Sequence, residues 1–128
     1  KELAYARHYP AINWMNSYSG YVKMLKNYYD MNLDGDLPAL RAKFLDLLHK
    51  EAKLNEIVML VGEDVLPDDQ RLVLEICRVI KVGFLQQNAF NQTDTYVPLE
   101  KQFEGYKALN KCYFFLLCFY LSFACHFP

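Results

Sequence analysis

The stretch between Pro38 and Gly62 is the feature of the sequence that most restricts the fold. Its apolar residues recur at steps of three and four, and charged residues fall between them. Proline is tolerated in the first turn of a helix, and glycine commonly follows the last turn. The pattern therefore predicts one long amphipathic helix. Its inward stripe consists of Leu40, Phe44, Leu47, Leu48, Leu54, Val58 and Val61.

Three further stretches have helical spacing, and the alternation typical of strands is nearly absent. One helix is predicted over residues 16–29. Another is predicted to begin at Asp68 and Asp69, whose charges suit a helix N-terminus. A fourth is expected from about Pro98, after an irregular loop at residues 86–97. The side chains expected to face inward are Tyr18, Tyr21, Val22, Leu25 and Tyr28 in the first of these, and Leu72, Ile76, Val79, Ile80 and Phe84 in the second.

These patterns predict an all-α fold, a small helical bundle of antiparallel helices with short connections. A chain of 128 residues with 53% hydrophobic residues can bury one core and is not intrinsically disordered. A net charge of −1 gives no basic surface for nucleic acid. The four cysteines form no C-x-x-C pair, which favours reduced thiols in a cytosolic protein.

No residue pattern predicts a catalytic site or a metal site. The glycines are isolated, so there is no glycine-rich phosphate-binding loop, and no histidines and cysteines have zinc-ligand spacing. Residues 30–36 match the opening of a calcium-binding EF-hand loop, but the twelfth position is Arg41 instead of a bidentate glutamate. A polar turn between helices is therefore favoured, with a degenerate calcium-binding domain as an alternative.

The end of the chain differs from the rest, because residues 112–127 include no charged side chain. The run is apolar on all sides but shorter than the roughly 20 residues that a membrane-spanning helix needs. A buried terminal helix, a surface covered by a partner and an artefact of the gene's end all remain open. A tail-anchored membrane protein is the less favoured alternative.

Three blocks of sequence make a family recognisable: RHYPAINW at residues 7–14, EIVMLVGEDVLPDDQRL at 56–72 and FLQQNAFNQTDTYVPLEKQF at 84–103. In this order they resemble the catalytic A subunit of V-type and archaeal A-type rotary ATPases. The resemblance implies that residues 15–110 form the C-terminal helical domain of a larger subunit. It also implies that residues 1–14 join this domain to a nucleotide-binding domain. The likeness ends at about Phe103, and residues 111–128 are set apart as an apolar tail.

The resemblance also implies an adenine-binding role for three aromatic residues. The segment that begins with Tyr9 is similar to the Tyr-Pro-Ala-Val segment of the related F-type beta subunit, whose tyrosine stacks on adenine. Phe90 and Tyr96 are similar to two aromatics that line the same pocket. ATP or ADP with Mg²⁺ is expected in the intact subunit, and no tightly bound nucleotide is expected on this chain alone.

A second implied site is the acidic turn after Gly62, which aligns with the rotor-contacting segment of the F-type beta subunit. The residues expected to contact the rotor are Asp64, Val65, Leu66, Pro67, Asp68 and Asp69. The implied partners are the central-stalk subunits and the B subunit of an enzyme that transports H⁺ or Na⁺. The domain is expected in the cytoplasm, peripheral to the membrane.

The resemblance places the chemistry of ATP in the upstream part of the larger protein. The chain by itself is therefore expected to be inactive. The main competing hypothesis is a non-catalytic helical module that binds another protein through its aromatic surface.

Overall fold

The computed structural model describes residues 1–33 and 36–124, with side-chain surroundings up to residue 115. Within these residues all regular structure is helical, which confirms the all-α prediction. A 3₁₀ turn at Glu63–Val65 follows the third helix, and a π-helical turn at Lys81–Leu85 extends the fourth. The α-helices are α1 (Glu2–Tyr5), α2 (Lys26–Asn32), α3 (Leu37–Val61), α4 (Asp68–Ile80), α5 (Gln92–Thr95) and α6 (Leu99–Ala124).

The main core lies where α3, α4 and α6 meet. Tyr106 of α6 connects this core to the π-helical turn, since its ring lies 5.5 Å from that of Phe44 and 4.7 Å from that of Phe84. A smaller cluster joins the start of α3 to α6. The buried residues are Phe44, Leu47, Leu48, Ile76, Cys77 and Ile80 in the main core, and Leu33, Leu37 and Phe103 in the smaller cluster.

The close approach of α6 to the π-helical turn depends on Gly105. A Cβ atom at this position would lie 2.6 Å from Cε2 of Phe84, too close for any other residue unless the ring shifts. The contact holds the segment that leads into the 86–97 loop against the bundle. It therefore helps to position one wall of the candidate site described below.

Both ends of α3 agree with the prediction from sequence. Asp36 caps the N-terminus, since its Oδ1 accepts a hydrogen bond from Ala39 N at 3.0 Å, and Pro38 lies in the first turn. Gly62 ends the helix with φ +87° and ψ 160°. Residues with a Cβ atom are strongly disfavoured in this conformation, so the residue type is set by the backbone.

Gly62→Ala is expected to lower the free energy of unfolding by about 1–3 kcal/mol, because alanine is strained in this backbone conformation. Chemical denaturation followed by circular dichroism measures the change. Gly83→Ala is the matched control, since an added Cβ there meets nothing within 4 Å and its φ is ordinary. It should be neutral or slightly stabilising. Equal effects of the two changes would contradict the role given to Gly62.

The prediction of a helix over residues 16–29 is wrong at its start, since α2 begins only at Lys26. Upstream of it, polar side chains bond to nearby backbone groups and compete with helix formation. Asn13 Oδ1 accepts from Met15 N at 2.9 Å, and Ser19 Oγ accepts from Tyr21 N at 3.3 Å. Four members of the predicted inward stripe are exposed, and one of them, Tyr28, lies within α2. The exposed members are Tyr18, Tyr21, Leu25 and Tyr28.

Two residues of the longer helices that were predicted to face inward are exposed instead. In α4, Ile76 and Ile80 are buried as predicted, but Val79 is exposed and Cys77 is fully buried in its place. The small cysteine faces α3, and its Sγ donates a hydrogen bond to a backbone carbonyl of α3 at 3.4 Å. In α3, Val61 is exposed because the end of the helix extends beyond the core.

The apolar stretch near the chain end begins as a direct continuation of α6. Phe114 and Phe115 are exposed, whereas Tyr113 packs against the main core. Residues 125–128 lie outside the described part of the chain. Among the residues that the structure describes, no helix combines the length and apolar character needed to cross a membrane.

Candidate functional site

An aromatic cleft of about 910 Å³ lies between residues 9–10 and the loop after α4. Tyr9 and Pro10 form one wall, and residues 86–90 with Asp94 and Thr95 form the other. Two backbone-directed hydrogen bonds join the walls: Gln87 N donates to Tyr9 O at 2.7 Å, and Gln86 Nε2 donates to Arg7 O at 3.4 Å. The two segments that the sequence separates by almost eighty residues thus form one site. We call it the aromatic cleft.

The second wall, formed by residues 86–90 with Asp94 and Thr95, is held in place by hydrogen bonds of its own side chains. Asn88 N donates to Asp94 Oδ2, and Phe90 N donates to Asn88 Oδ1, both at 3.0 Å. Thr95 Oγ1 donates to Asn91 O at 2.7 Å. These bonds add to the short helix α5, which lies within this wall. They hold Phe90 in place although its side chain is 99% exposed.

The structure brings two of the three predicted aromatic residues into this cleft. Tyr9 and Phe90 line it, whereas Tyr96 lies beyond its lining on the same loop. All three are exposed. Exposing aromatic rings to water is unfavourable, and their flat faces are suited to stacking on a planar ligand. The cleft therefore has the character of a site for a planar, largely apolar group.

The charges around the cleft do not suit phosphate. Of the described residues that line it, none is basic, and the one carboxylate, Asp94, already accepts a hydrogen bond from the backbone. In the described ranges, no group of three or more His, Cys, Asp or Glu side chains could hold a metal ion. Burial raises the pKa of the Cys77 thiol to about 12, so it stays protonated at neutral pH.

The segment that resembles an EF-hand opening pairs with a cation instead. Lys26 Nζ lies 3.3 Å from Asp30 Oδ2 and 3.9 Å from Asp36 Oδ2, and Asp36 also caps α3. The central residues of the segment, Asp34 and Gly35, lie outside the described part of the chain. The polar turn is therefore described only at its two ends.

Behind the aromatic cleft lies a group of four side chains that we call the clamp: Lys81, Glu51, Trp14 and His8. Lys81 Nζ lies 2.5 and 2.7 Å from the two carboxylate oxygens of Glu51, which is only 8% exposed. The same ammonium lies 5.2 Å from the centre of the Trp14 ring, and the His8 ring meets Trp14 edge-on at 5.0 Å. The clamp ties the Tyr9 segment to α3.

Sequence reasoning missed the clamp, although one signal was present. Glu51 lies three residues after Leu48 and three before Leu54, on the apolar stripe of α3. A carboxylate on the inward face of a helix requires a buried partner. The partner itself, Lys81, depends on where α4 crosses α3, and no local pattern specifies that.

Protonation of His8 is expected to destabilise the fold in mild acid. Burial, and then the nearby Lys81 ammonium, lower the pKa of His8 from its usual 6.5. The unfolded chain therefore binds the proton at a higher pH than the folded chain. The contribution of neutral His8 to stability is complete above pH 6.5 and is lost as the pH falls through the lowered value. Urea denaturation at about pH 7.5 and about pH 5.5 measures this loss, which falls in the range where histidine titrates.

His8→Gln should reduce the loss of stability in acid, because glutamine does not titrate. His49→Gln, the same substitution at an exposed histidine of α3, is the control. The same pH dependence in wild type and in His8→Gln would contradict this assignment.

The second candidate site is the end of α3 with the turn that follows, residues 59–69, which we call the tip. Met59 and Leu60 are 83% and 85% exposed, and Val61 and Val65 are exposed as well. Three consecutive helical residues cover roughly 200° of the helix surface. The end of α3 therefore projects from the bundle, and it presents apolar side chains to the solvent.

The tip also has exposed acidic residues. Asp64, Asp68 and Asp69 are exposed, and the last two lie in the first turn of α4, where their charge suits the helix dipole. Leu66 differs from the other predicted contact residues, because it is 7% exposed. Its side chain anchors the turn to the bundle. The most exposed apolar side chains of the tip, Met59 and Leu60, are not among the contact residues predicted from sequence.

Known proteins resemble this chain over most of its length. Residues 19–115 match the family described as the C-terminal domain of V and A type ATP synthase. The chain is 60% identical over 113 residues, 88% of its length, to the V-type ATP synthase alpha chain 2 of Clostridium tetani. It is 49% identical over 110 residues, 86% of its length, to the A subunit of the A-type ATP synthase of Methanosarcina mazei.

Each of these relatives is much longer, since the matched region covers 19% of either protein. The chain thus spans about a fifth of the length of the curated relatives it matches. The family match covers most of the chain and includes α2, α3 and α4. The chain therefore belongs to the V- and A-type ATP synthase family, as the C-terminal domain of its alpha, or A, subunit.

Proposed function

We propose that, in the intact A subunit, this domain supplies the adenine side of the nucleotide site and contacts the central rotor. It would thereby couple ATP hydrolysis or synthesis to H⁺ or Na⁺ transport. The observation that carries the proposal is that Tyr9 and Phe90 line one cleft although they lie far apart in sequence. A stacking site of this kind needs two rigid segments, and the bonds between the walls provide them.

The cleft is suited to adenine and not to the rest of ATP. Adenine has two apolar faces, and stacking of a base on an aromatic side chain contributes about 1–3 kcal/mol. The lining has no cation for the phosphates. Mg²⁺, the phosphates and the attacking water would be held by the nucleotide-binding domain together with the neighbouring B subunit. The 128-residue chain alone would then bind ATP very weakly and would not hydrolyse it.

The tip is suited to a contact governed by shape more than by charge. Its most exposed side chains, Met59 and Leu60, are apolar, and methionine adapts to surfaces that change during a cycle. The exposed acids at Asp64, Asp68 and Asp69 would form the rim of the contact. In the cell the domain would lie in the cytoplasm, in the part of the complex peripheral to the membrane.

Photolabelling with 8-azido-ATP tests the adenine role in the assembled complex. Light converts the azide on the base into a group that reacts with side chains next to the ring. We expect labelled peptides to include Tyr9, Phe90 or Tyr96, and excess ATP should suppress the labelling. Labelling confined to peptides outside residues 1–128 would overturn the adenine assignment and favour a protein-binding module without a nucleotide role.

Leu60→Asp tests the tip. The side chain is exposed, so the change should leave the free energy of unfolding nearly unchanged. In the assembled complex a carboxylate at an apolar contact is costly, and we expect less ion transport per ATP hydrolysed. Met24→Asp, at an exposed apolar residue just before α2 and outside both the cleft and the tip, is the control. Unaltered coupling in Leu60→Asp would reject the tip as a rotor contact.

A further inference from the structure

We propose that Lys81 is a positioning residue, which holds the Tyr9 wall of the aromatic cleft to α3 so that cleft and tip move as one body. The inference rests on the proposed function, since it concerns how the adenine site and the rotor contact are connected. The contacts within the clamp support this inference. The Lys81 ammonium contacts both the buried carboxylate of Glu51 on α3 and the ring of Trp14. Trp14 in turn packs on His8.

Lys81 occupies the point where three parts of the domain meet. It begins the π-helical turn that leads from α4 to the cleft loop. Its Nζ lies 2.5 and 2.7 Å from the carboxylate oxygens of Glu51 on α3, and Asn55 Nδ2 donates to the same carboxylate at 2.9 Å. The Glu51 carboxylate is buried and the Lys81 side chain is 24% exposed, so a displacement of Lys81 would leave a buried carboxylate without its cation.

The other side of Lys81 faces the segment that carries Tyr9. The ammonium lies 5.2 Å from the Trp14 ring centre, within the distance of a cation–π contact. Trp14 packs against the main core and meets His8, the immediate neighbour of Tyr9 and itself buried. The Tyr9 wall is thus fastened twice, by Gln87 at the backbone and by the clamp through its neighbour.

The route from the clamp to the tip is a single stretch of helix. Glu51 and Leu60 both belong to α3, nine residues apart, which corresponds to roughly 13 Å along the axis. A displacement of the Tyr9 wall would therefore either move α3 or break the ion pair. Because breaking the pair is costly, the displacement is passed to the tip.

Trp14 provides a direct optical readout, since it is the chain's one tryptophan. In Lys81→Met with Glu51→Gln, the pair is removed without leaving a buried charge. We expect red-shifted Trp14 emission and stronger quenching by acrylamide, with helicity retained by circular dichroism. Lys81→Arg should keep the emission of the wild type, since arginine can make both contacts.

Lys43→Met is the matched control. Lys43 also joins two elements of the bundle, with its Nζ 2.6 Å from Asn110 Oδ1 and 4.6 Å from the Tyr113 ring centre. It lies at the α3–α6 contact and should leave Trp14 emission unchanged. Unchanged emission in the folded Lys81/Glu51 double variant would overturn the inference.

The second readout separates this inference from the function on which it rests. In the assembled complex, the Lys81/Glu51 double variant should raise the KM for ATP, and Lys81→Arg should restore it. A raised KM in Phe90→Ala beside an unchanged KM in the double variant would overturn the positioning role alone. An unchanged KM in both would overturn the adenine role itself.

Discussion

Lys81→Met alone is expected to lower the free energy of unfolding by about 3–5 kcal/mol, because it leaves a buried carboxylate without its partner. Glu51 is 8% exposed, and its remaining partner, Asn55, is neutral. The loss would be a large fraction of the total stability of a domain of this size. Urea denaturation followed by circular dichroism measures it.

Two variants decide whether the unpaired charge causes the loss. Glu51→Leu together with Lys81→Met removes both charges and should recover most of the stability, because apolar replacements of buried pairs are often well tolerated. Lys50→Met removes a partner of Asp46 at 2.8 Å on the exposed surface and should have little effect. Equal losses in Lys50→Met and Lys81→Met would contradict the assignment.

Phe90→Ala is expected to raise the KM for ATP of the assembled complex by roughly 5- to 150-fold, which corresponds to the loss of about 1–3 kcal/mol of stacking. The value of kcat should change little, because adenine binds alike in the ground state and in the transition state. Phe90 is 99% exposed, so the fold should retain its stability. Steady-state hydrolysis over a range of ATP concentrations gives both constants.

Phe114→Ala serves as the control for this measurement. Phe114 is also exposed but lies on α6, away from the cleft lining, and should leave both constants unchanged. A fall in kcat with unchanged KM in Phe90→Ala would show that the ring does not act by binding adenine.

The parts of the fold that local signals determine were predictable from sequence. Both ends of α3 follow from Pro38 and Gly62, and the start of α4 follows from its two acids. The helix predicted over residues 16–29 begins only at Lys26, because serine and asparagine side chains bond to the backbone upstream of it. The spacing of apolar residues alone gives no information about that competition for the backbone.

The site was predictable only in part, because it depends on contacts between distant segments. Tyr9 and Phe90 were identified through a family resemblance, and the structure places them in one cleft. The pairing of Glu51 with Lys81 depends on the crossing of α3 and α4, which no local pattern encodes. The exposure of Met59 and Leu60 depends on how far α3 extends beyond the core.

Nucleotide bound at the aromatic cleft is expected to control contact between the tip and the rotor. A photoreactive benzoylphenylalanine at the position of Leu60, in the assembled complex, tests it by cross-linking to central-stalk subunits. We predict that the cross-link yield changes on ATP addition, and that Phe90→Ala shifts this change to higher ATP concentration. A yield that is the same with and without ATP would contradict the account.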